Sequence, residues 1–409
     1  YVTVKGFDFY GGAAKFIDTS HTTLADSSFL FSASQKFSVN NFDIPATTEF
    51  THSNNKTKQY HNRIENCSFS YLDGNAILTN SGGMEIDNVL LFRTQQTTLG
   101  LDSRSMSITN PALVRRVTIN DVGASVGIKG GPADGIYELN NIAEFGGLQF
   151  DGAALQSGGG GQVIYRYNWS HDHPKGGMRF DTGNYPIPKD ANEFGEMSYN
   201  VVWNAGNYNV KGDSHFVHNN LNMDAGILAY NMARWGSRNA ETLIANNAFH
   251  YINAGTDDWK NSAIPVDYWL DEIIEPEDWE GFGTGVVQDE GEVVASAKDS
   301  PILARRENNS WGDPTSKIMD PANFDFRPKP GSSLINAGYE ITSADVTWKS
   351  TPIEGSDNDN DGGQVDIGPY EYGDTKYWIP GFQFDHASTP IPKDNAEDMP
   401  LNRDLMFLI

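Results

Sequence analysis

One short unit recurs through the first two thirds of the chain, and it constrains the fold more than any other feature. An Asn stands beside apolar or aromatic residues in Ile64-Glu65-Asn66-Cys67-Ser68-Phe69, Ile86-Asp87-Asn88-Val89-Leu90-Leu91 and Val117-Thr118-Ile119-Asn120. It returns in Glu138-Leu139-Asn140-Asn141-Ile142, Tyr165-Arg166-Tyr167-Asn168-Trp169 and Ser198-Tyr199-Asn200-Val201-Val202-Trp203. Later copies are Val217-His218-Asn219-Asn220-Leu221, Ile244-Ala245-Asn246-Asn247-Ala248-Phe249 and Glu307-Asn308-Asn309-Ser310-Trp311. Neighbouring copies sit mostly about 20–32 residues apart, the spacing of a solenoid. A unit this short cannot bury its own apolar edge, so successive coils must stack and pair strand on strand. An Asn at a turn can then bond its own neighbours and the Asn of the next coil. The bland alternative, Asn as an ordinary turn residue of a β-sandwich, does not account for the repeated apolar neighbour.

Several units carry a second strand roughly six to ten residues past the Asn, with apolar and polar residues alternating. These are Thr98–Asp102, Val126–Lys129, Leu148–Asp151, Met178–Asp181 and Tyr208–Lys211. The expected fold is all-β, a right-handed parallel β-helix with a C-terminal extension. Its solenoid spans 1–340, with an insertion between coils at 256–285 that is rich in Trp, Asp and Glu. Residues 341–375 close the solenoid, and 376–409 form a tail that lies back along it.

Charge narrows the function. The 409 residues hold 29 Lys and Arg against 54 Asp and Glu, a net charge of −25. That argues against nucleic acid and anionic membrane surfaces as partners. It leaves room for an anionic substrate gripped by a few clustered cations. No apolar run approaches the ~18 residues of a membrane span. The single Cys67 permits no intrachain disulfide and reads as a small buried side chain. A monomer is expected.

Residues Tyr167-Asn168-Trp169-Ser170-His171-Asp172 and Lys175-Gly176-Gly177-Met178-Arg179-Phe180-Asp181 resemble secreted bacterial polysaccharide-degrading enzymes built on the pectate-lyase-like parallel β-helix. So do Asp325–Gly338 and Asp366-Ile367-Gly368-Pro369-Tyr370-Glu371-Tyr372 near the C-terminal end. The resemblance covers roughly residues 1–375. It implies a secreted or extracellular protein whose leader has been removed from this chain. The segment from Tyr377 onward resembles the linker and opening strand of a truncated fibronectin-like or immunoglobulin-like module.

Strand parity supplies site candidates. If Met178 and Phe180 point inward, Arg179 and Asp181 point outward. The same parity aligns Asp102, Lys129, Asp151, Asp181 and Lys211 in one exposed column. Asp151 and Asp181 on adjacent coils then stand roughly 5 Å apart at the backbone. Carboxyl groups about 5–5.5 Å apart suit a retaining glycosidase, and about 6.5–9.5 Å an inverting one. Two close carboxylates also push one pKa upward, toward a general acid. An ion-pair ladder with Lys129 and Lys211 is the inert reading of the same column. A second column from the preceding turn holds Asp73, Asp121, Glu144 and Asp172, flanked by His171 and His173. A His beside carboxylates can shuttle a proton. Lys129, Lys175, Arg179 and Lys211 converge on the middle coils, and Arg offers a planar fork for sulfate or carboxylate. Asp213 joins this group in sequence. Trp169, Trp203 and Tyr208 are either sugar-stacking faces or core.

Asp357-Asn358-Asp359-Asn360-Asp361-Gly362 opens like a calcium loop, with Gly368 at the position of the usual Glu and Asp366 as substitute. The expectation is structural calcium and no cofactor required for catalysis.

The first expectation is an endo-acting glycoside hydrolase of a sulfated or otherwise anionic algal polysaccharide. The resemblance points specifically to a fucoidan-cleaving endo-fucanase. Asp151 and Asp181 share the acid and the nucleophile or base roles, assisted by His171 and Asp172. Asp102, Glu144 and Asp213 bind substrate with the cations. Two alternatives stand beside it. One is a polysaccharide lyase with Lys129 or Lys211 as base and Arg179 or calcium neutralising a uronate carboxylate. The other is a non-catalytic carbohydrate-binding solenoid.

Overall fold

The computed structural model describes residues 1–32, 46–53, 59–96, 104–131, 135–148, 151–158, 162–181, 194–229, 239, 241–253, 288–289, 292–293, 304–343, 345, 363–373, 377–393 and 406–408. Among these residues there is no α-helix. Two long all-parallel sheets, of 17 and 10 strands, form the walls of a parallel β-helix.

One coil shows the plan. Val163–Arg166 and Trp169–His171 are consecutive strands of the larger sheet, and Gly176–Asp181 belongs to the smaller. Each pairs in parallel with its equivalent one coil on: Glu196–Ser198, Val201–Trp203 and Tyr208–Val210. The chain thus builds three walls, with coils about 4.8 Å apart. Alternate side chains fill the interior: Ile128, Leu155, Met178, Phe180 and Val210 from the third wall are all buried. Phe9, Phe29 and Phe69 stack face to face inside, with centroids 4.4 and 4.8 Å apart.

The corner between the first and second walls explains the recurrent Asn. Each coil turns there on a left-handed residue: Leu139, Tyr167, Tyr199, Asn219 and Asn246 have φ of 54, 55, 54, 50 and 56°. The next residue is a fully buried Asn. Asn140, Asn168, Asn200, Asn220, Asn247 and the half-buried Asn309 form a ladder in which each Oδ1 after the first accepts from the backbone N–H and Nδ2 of the preceding Asn, while Asn140 Oδ1 accepts from Val117 N–H. Each Nδ2 also donates to a carbonyl of the coil before, as Asn200 does to Tyr165 at 2.8 Å. Buried backbone groups at a corner need such partners.

Asn66 and Asn88 differ from this set. They occupy the left-handed position itself (φ 51 and 57°), facing outward, and Asn88 Nδ2 donates to Asn66 Oδ1. Strand register puts Cys67, Val89 and Val117 where the later coils have the inward Asn. The apparent single repeat therefore merges two adjacent positions, and Asn120, three residues past the ladder level at Val117, belongs to neither. Asn tolerates both, one for its local left-handed conformation and one for its amide. Cys67 is buried, as expected, and burial pushes its thiol up to about 12.

The corner between the second and third walls is also left-handed. Phe31, Tyr71, Arg93, Asp121, Glu144, Asp172 and Asn204 have φ of 55, 57, 53, 54, 49, 53 and 44°. For residues other than Gly, Asn and Asp this conformation costs roughly 1–2 kcal/mol.

The C-terminal segment covers the outside of the second wall. Phe326, Leu334, Tyr370 and Ile379 pack on Trp169, Val201 and Leu221. The chain then runs back along the first corner: Gly368 N–H donates to Asn246 O, Gly381 N–H to Leu139 O, and Gln383 N–H to Asn88 Oδ1. The returning tail expected from sequence is present across this stretch. The insertion at 256–285 lies outside the described residues.

Candidate functional site

The outer face of the third wall carries the charged cluster. Arg179 lies in Gly176–Asp181 with Met178 and Phe180 buried on either side of it. In strand register its neighbours are Gln156 and Asn209, and Lys129 follows beyond Gln156. Asp181 Oδ1 accepts from Lys211 Nζ at 2.8 Å, and Oδ2 from Gln156 Nε2 at 2.8 Å and Arg179 Nη2 at 3.0 Å. Arg179 Nη1 reaches Asp151 Oδ1 at 2.5 Å. A single guanidinium therefore spans both carboxylates.

The two carboxylates differ in setting. The Asp181 side chain is only 13% exposed and that of Asp151 71%. Burial raises the Asp181 pKa, but Lys211 and Arg179, with Lys129 behind them, outweigh it and hold the carboxyl below its ordinary range. Burial opposes the charge on Arg179, and Asp181 and Asp151 more than offset that. Lys211 goes the other way: burial, only partly countered by Asp181, lowers its pKa. Burial lowers Lys175 as well, against the pull of Asp151.

These facts correct two expectations. Asp151 is not in the strand. The alternation Leu148-Gln149-Phe150-Asp151 imitates one, but pairing begins at Ala153, and Leu148 is exposed. Gly152 turns the chain there at φ 142°, its Cα lying so close to Ser125 O that no Cβ fits. Gln156, not Asp151, is level with Arg179, and Asp151 meets the cluster at the end of the long Arg179 side chain. Nor does proximity force the Asp181 pKa up, because Arg179 stands between the carboxylates. Asp181 is a permanent anion near neutral pH, suited to a base, nucleophile or anchor and not to a proton donor.

Three of the four residues of the second column do stack. Asp121, Glu144 and Asp172 follow one another at the left-handed corner. Asp73 does not: register places Tyr71 at that level, with Asp73 two residues farther on. His171 is clamped, its Nδ1 on Asp172 Oδ2 at 2.7 Å and its Nε2 on Asn141 Oδ1 at 2.8 Å, with its ring stacked on Trp203 at 3.9 Å. Its hydrogen bond and that of Asn204 outweigh burial and lower the Asp172 pKa. His173 is buried against Ser170 Oγ, and burial lowers its pKa to about 3, so its ring is neutral.

Trp169 and Tyr208 are buried, and Trp203 is half-covered by Phe324 and Phe326, so these rings offer no free sugar-stacking face. Asp213 lies in the corner past Lys211, where its charge acts on His215. Asp102, Asp357, Asp359 and Asp361 lie outside the described residues. Asp366 is a buried clasp: Oδ1 accepts from Asn336 N–H and Oδ2 from Tyr372 N–H, both at 2.6 Å. Among the described residues no group of three or more His, Cys, Asp or Glu could hold a metal ion.

Sequence reasoning missed Gln156. Taking Gly152 as a corner would have revealed it, since Ala154 and Gln156 then repeat the parity of Gly177 and Arg179. Gln156 Oε1, Arg179 Nε and Asn209 Oδ1 are buried without a hydrogen-bond partner among the described residues. Such a row of unsatisfied groups on one wall suits a polar ligand. No protein-family model matches the chain, and no curated protein matches it.

Proposed function

We propose that the outer face of the third wall cleaves an anionic polysaccharide by glycoside hydrolysis, with sulfated fucans the first polymers to test. One observation carries the reading. On a protein of net charge −25, Lys129, Lys175, Arg179 and Lys211 gather around two carboxylates that share one guanidinium. Sulfate or carboxylate groups of the substrate compete for the Arg179 fork and the lysines. Asp181, held ionised, acts as nucleophile or as base for water, and the solvent-facing Asp151 is the second carboxyl of the pair. His171 and Asp172 orient substrate at the adjoining corner. Such a polymer is met outside the cell, where this reading places the protein.

β-Elimination at a uronate is the second reading, favoured by the lowered Lys211 pKa. Lys211, whose burial favours loss of its proton, removes the proton α to the carboxylate while Arg179 neutralises it. One experiment tests both. The protein is incubated with fucoidan, carrageenan, alginate and pectin, and reducing ends and ultraviolet absorbance are followed. Hydrolysis releases reducing ends without absorbance, and Asp181→Asn abolishes release. Absorbance from an unsaturated uronate replaces hydrolysis with elimination. Binding without any release leaves a carbohydrate-binding solenoid.

A further inference from the structure

The second corner carries a feature the charged cluster does not use. In the coils of Asp121, Glu144, Asp172 and Asn204, the left-handed position is held by acids or Asn. Two coils nearer the N-terminus place Phe31 and Tyr71 there, with φ of 55 and 57°, and they remain 49% and 43% exposed. An aromatic residue gains neither a local side-chain bond nor full burial at such a corner, and it bears the left-handed strain. Stacking from coil to coil offsets part of that strain but leaves both rings facing solvent.

The rings stack with centroids 5.2 Å apart, and Phe92 meets the edge of Tyr71 at 5.8 Å. The Arg93 guanidinium lies 5.8 Å from the Tyr71 ring centre and is bonded to Asp121 at 2.6 Å. Phe31, Tyr71, Asp73, Arg93 and Asp121 line a groove of about 540 Å³. Apolar faces with a few polar groups at the rim are the composition of a small-molecule site. Aromatic faces take the C–H face of a pyranose, and an Arg fork at the rim takes a sulfate or carboxylate.

We propose that this groove is a distal subsite for the anionic glycan, holding the chain away from the point of cleavage. The inference rests on the ligand class assigned to the third wall. The corner column leads from one to the other: Tyr71, Arg93, Asp121, Glu144 and Asp172 occupy successive coils, so the Tyr71 ring and the Asp172 level are about 19 Å apart, with Asp121 at the near end of the groove about 10 Å from Asp172. Only a chain long enough to span that distance engages both.

The test compares the protein with Phe31→Ala, Tyr71→Ala and the double variant. Trp311→Ala, which removes an equally exposed aromatic at the far end, serves as control. Circular dichroism and the urea midpoint establish that each is folded. Migration is measured in native gels containing fucoidan, carrageenan, alginate or pectin. Cleavage is measured on the polymer that the unaltered protein cleaves and on its short oligosaccharides. The expected result is binding weakened about tenfold in the double variant, the loss of one aromatic contact. KM for long chains rises by the same factor, kcat is unchanged, and short oligosaccharides are unaffected. Trp311→Ala changes nothing.

Unaltered migration and unaltered KM in the double variant overturn the subsite while leaving the cleavage reading intact. Equal weakening by Trp311→Ala also overturns it. Retardation lost in the double variant of a protein that cleaves nothing supports the subsite and removes the cleavage reading. Absence of retardation and cleavage on all four polymers removes both.

Discussion

Replacing Asn200 with Ala tests the corner ladder directly. Asn200 Oδ1 accepts from Asn168 N–H and Asn168 Nδ2, both at 3.0 Å, and its Nδ2 donates to Tyr165 O at 2.8 Å and Asn220 Oδ1 at 2.9 Å. Two of the partners have a second bond to fall back on: Asn168 Nδ2 keeps Tyr137 O, and Asn220 Oδ1 keeps the backbone N–H of residue 200. Tyr165 C=O lies in a strand paired with Glu196–Ser198 and keeps its ladder bond, whereas Asn168 N–H is a main-chain group in a closed corner. Stranding a buried polar group costs about 1–3 kcal/mol, so the variant loses roughly 1–3 kcal/mol. Asn66→Ala removes an amide of the same repeat from the outward position and costs about 1 kcal/mol, the left-handed penalty for Ala. Urea unfolding followed by circular dichroism compares the two, with the slope checked for a change in cooperativity. If Asn200→Ala stays within about 0.5 kcal/mol of the unaltered protein, or falls no further than Asn66→Ala, the inward amides are not what holds the corner.

Three other outcomes follow from the geometry. His173 has a folded pKa of about 3 against an ordinary value near 6.5, so the unfolded chain takes up its proton first. Stability falls as pH drops below about 6.5, by roughly 2 kcal/mol at pH 5, and His173→Gln flattens that slope in urea titrations. An equal slope in the variant sinks the assignment. Asp181→Asn removes the carboxylate that the largely buried Lys211 and Arg179 share and costs about 2–4 kcal/mol, a buried-pair figure discounted for residual exposure. Because the Asp181 pKa is depressed, its contribution is present above about pH 4 and disappears as pH falls through the folded value. The gap between variant and parent thus closes in acid, and a constant gap from pH 7 to pH 2 argues against the ion network. Gly152→Ala places a Cβ against Ser125 O at a backbone φ of 142° and costs on the order of 3 kcal/mol, whereas Gly147→Ala meets nothing and is neutral in thermal melts. Equal melting temperatures contradict the tight turn before the Gln156 strand.

The site was legible in parts. Met178-Arg179-Phe180-Asp181 alternates cleanly, and the outward pair Arg179 and Asp181 could be read from parity alone. The same is true of Lys129 beside Ile128. Asp151 was harder, because Leu148 and Phe150 offer a false alternation just before a glycine corner. Phe31 and Tyr71 fall in no repeated motif. Their importance depends on a left-handed corner that only stacked coordinates reveal. Asp73 lies within two residues of the corner column, a gap smaller than sequence spacing can resolve when successive Asn positions of the ladder lie 28, 32, 20, 27 and 62 residues apart.

The amino-acid order on its own settled that short strands recur, that alternate residues face inward, and that the coils must stack to bury them, because a unit of that size has no core of its own. The tertiary structure alone decided which residues meet. Backbone pairing between coils sets the register, loops of unequal length hide it, and a slip of one residue turns a side chain from outside to inside. For that reason Gln156 rather than Asp151 sits level with Arg179, Asn66 and Asn140 have different roles, and the C-terminal segment covers Trp169.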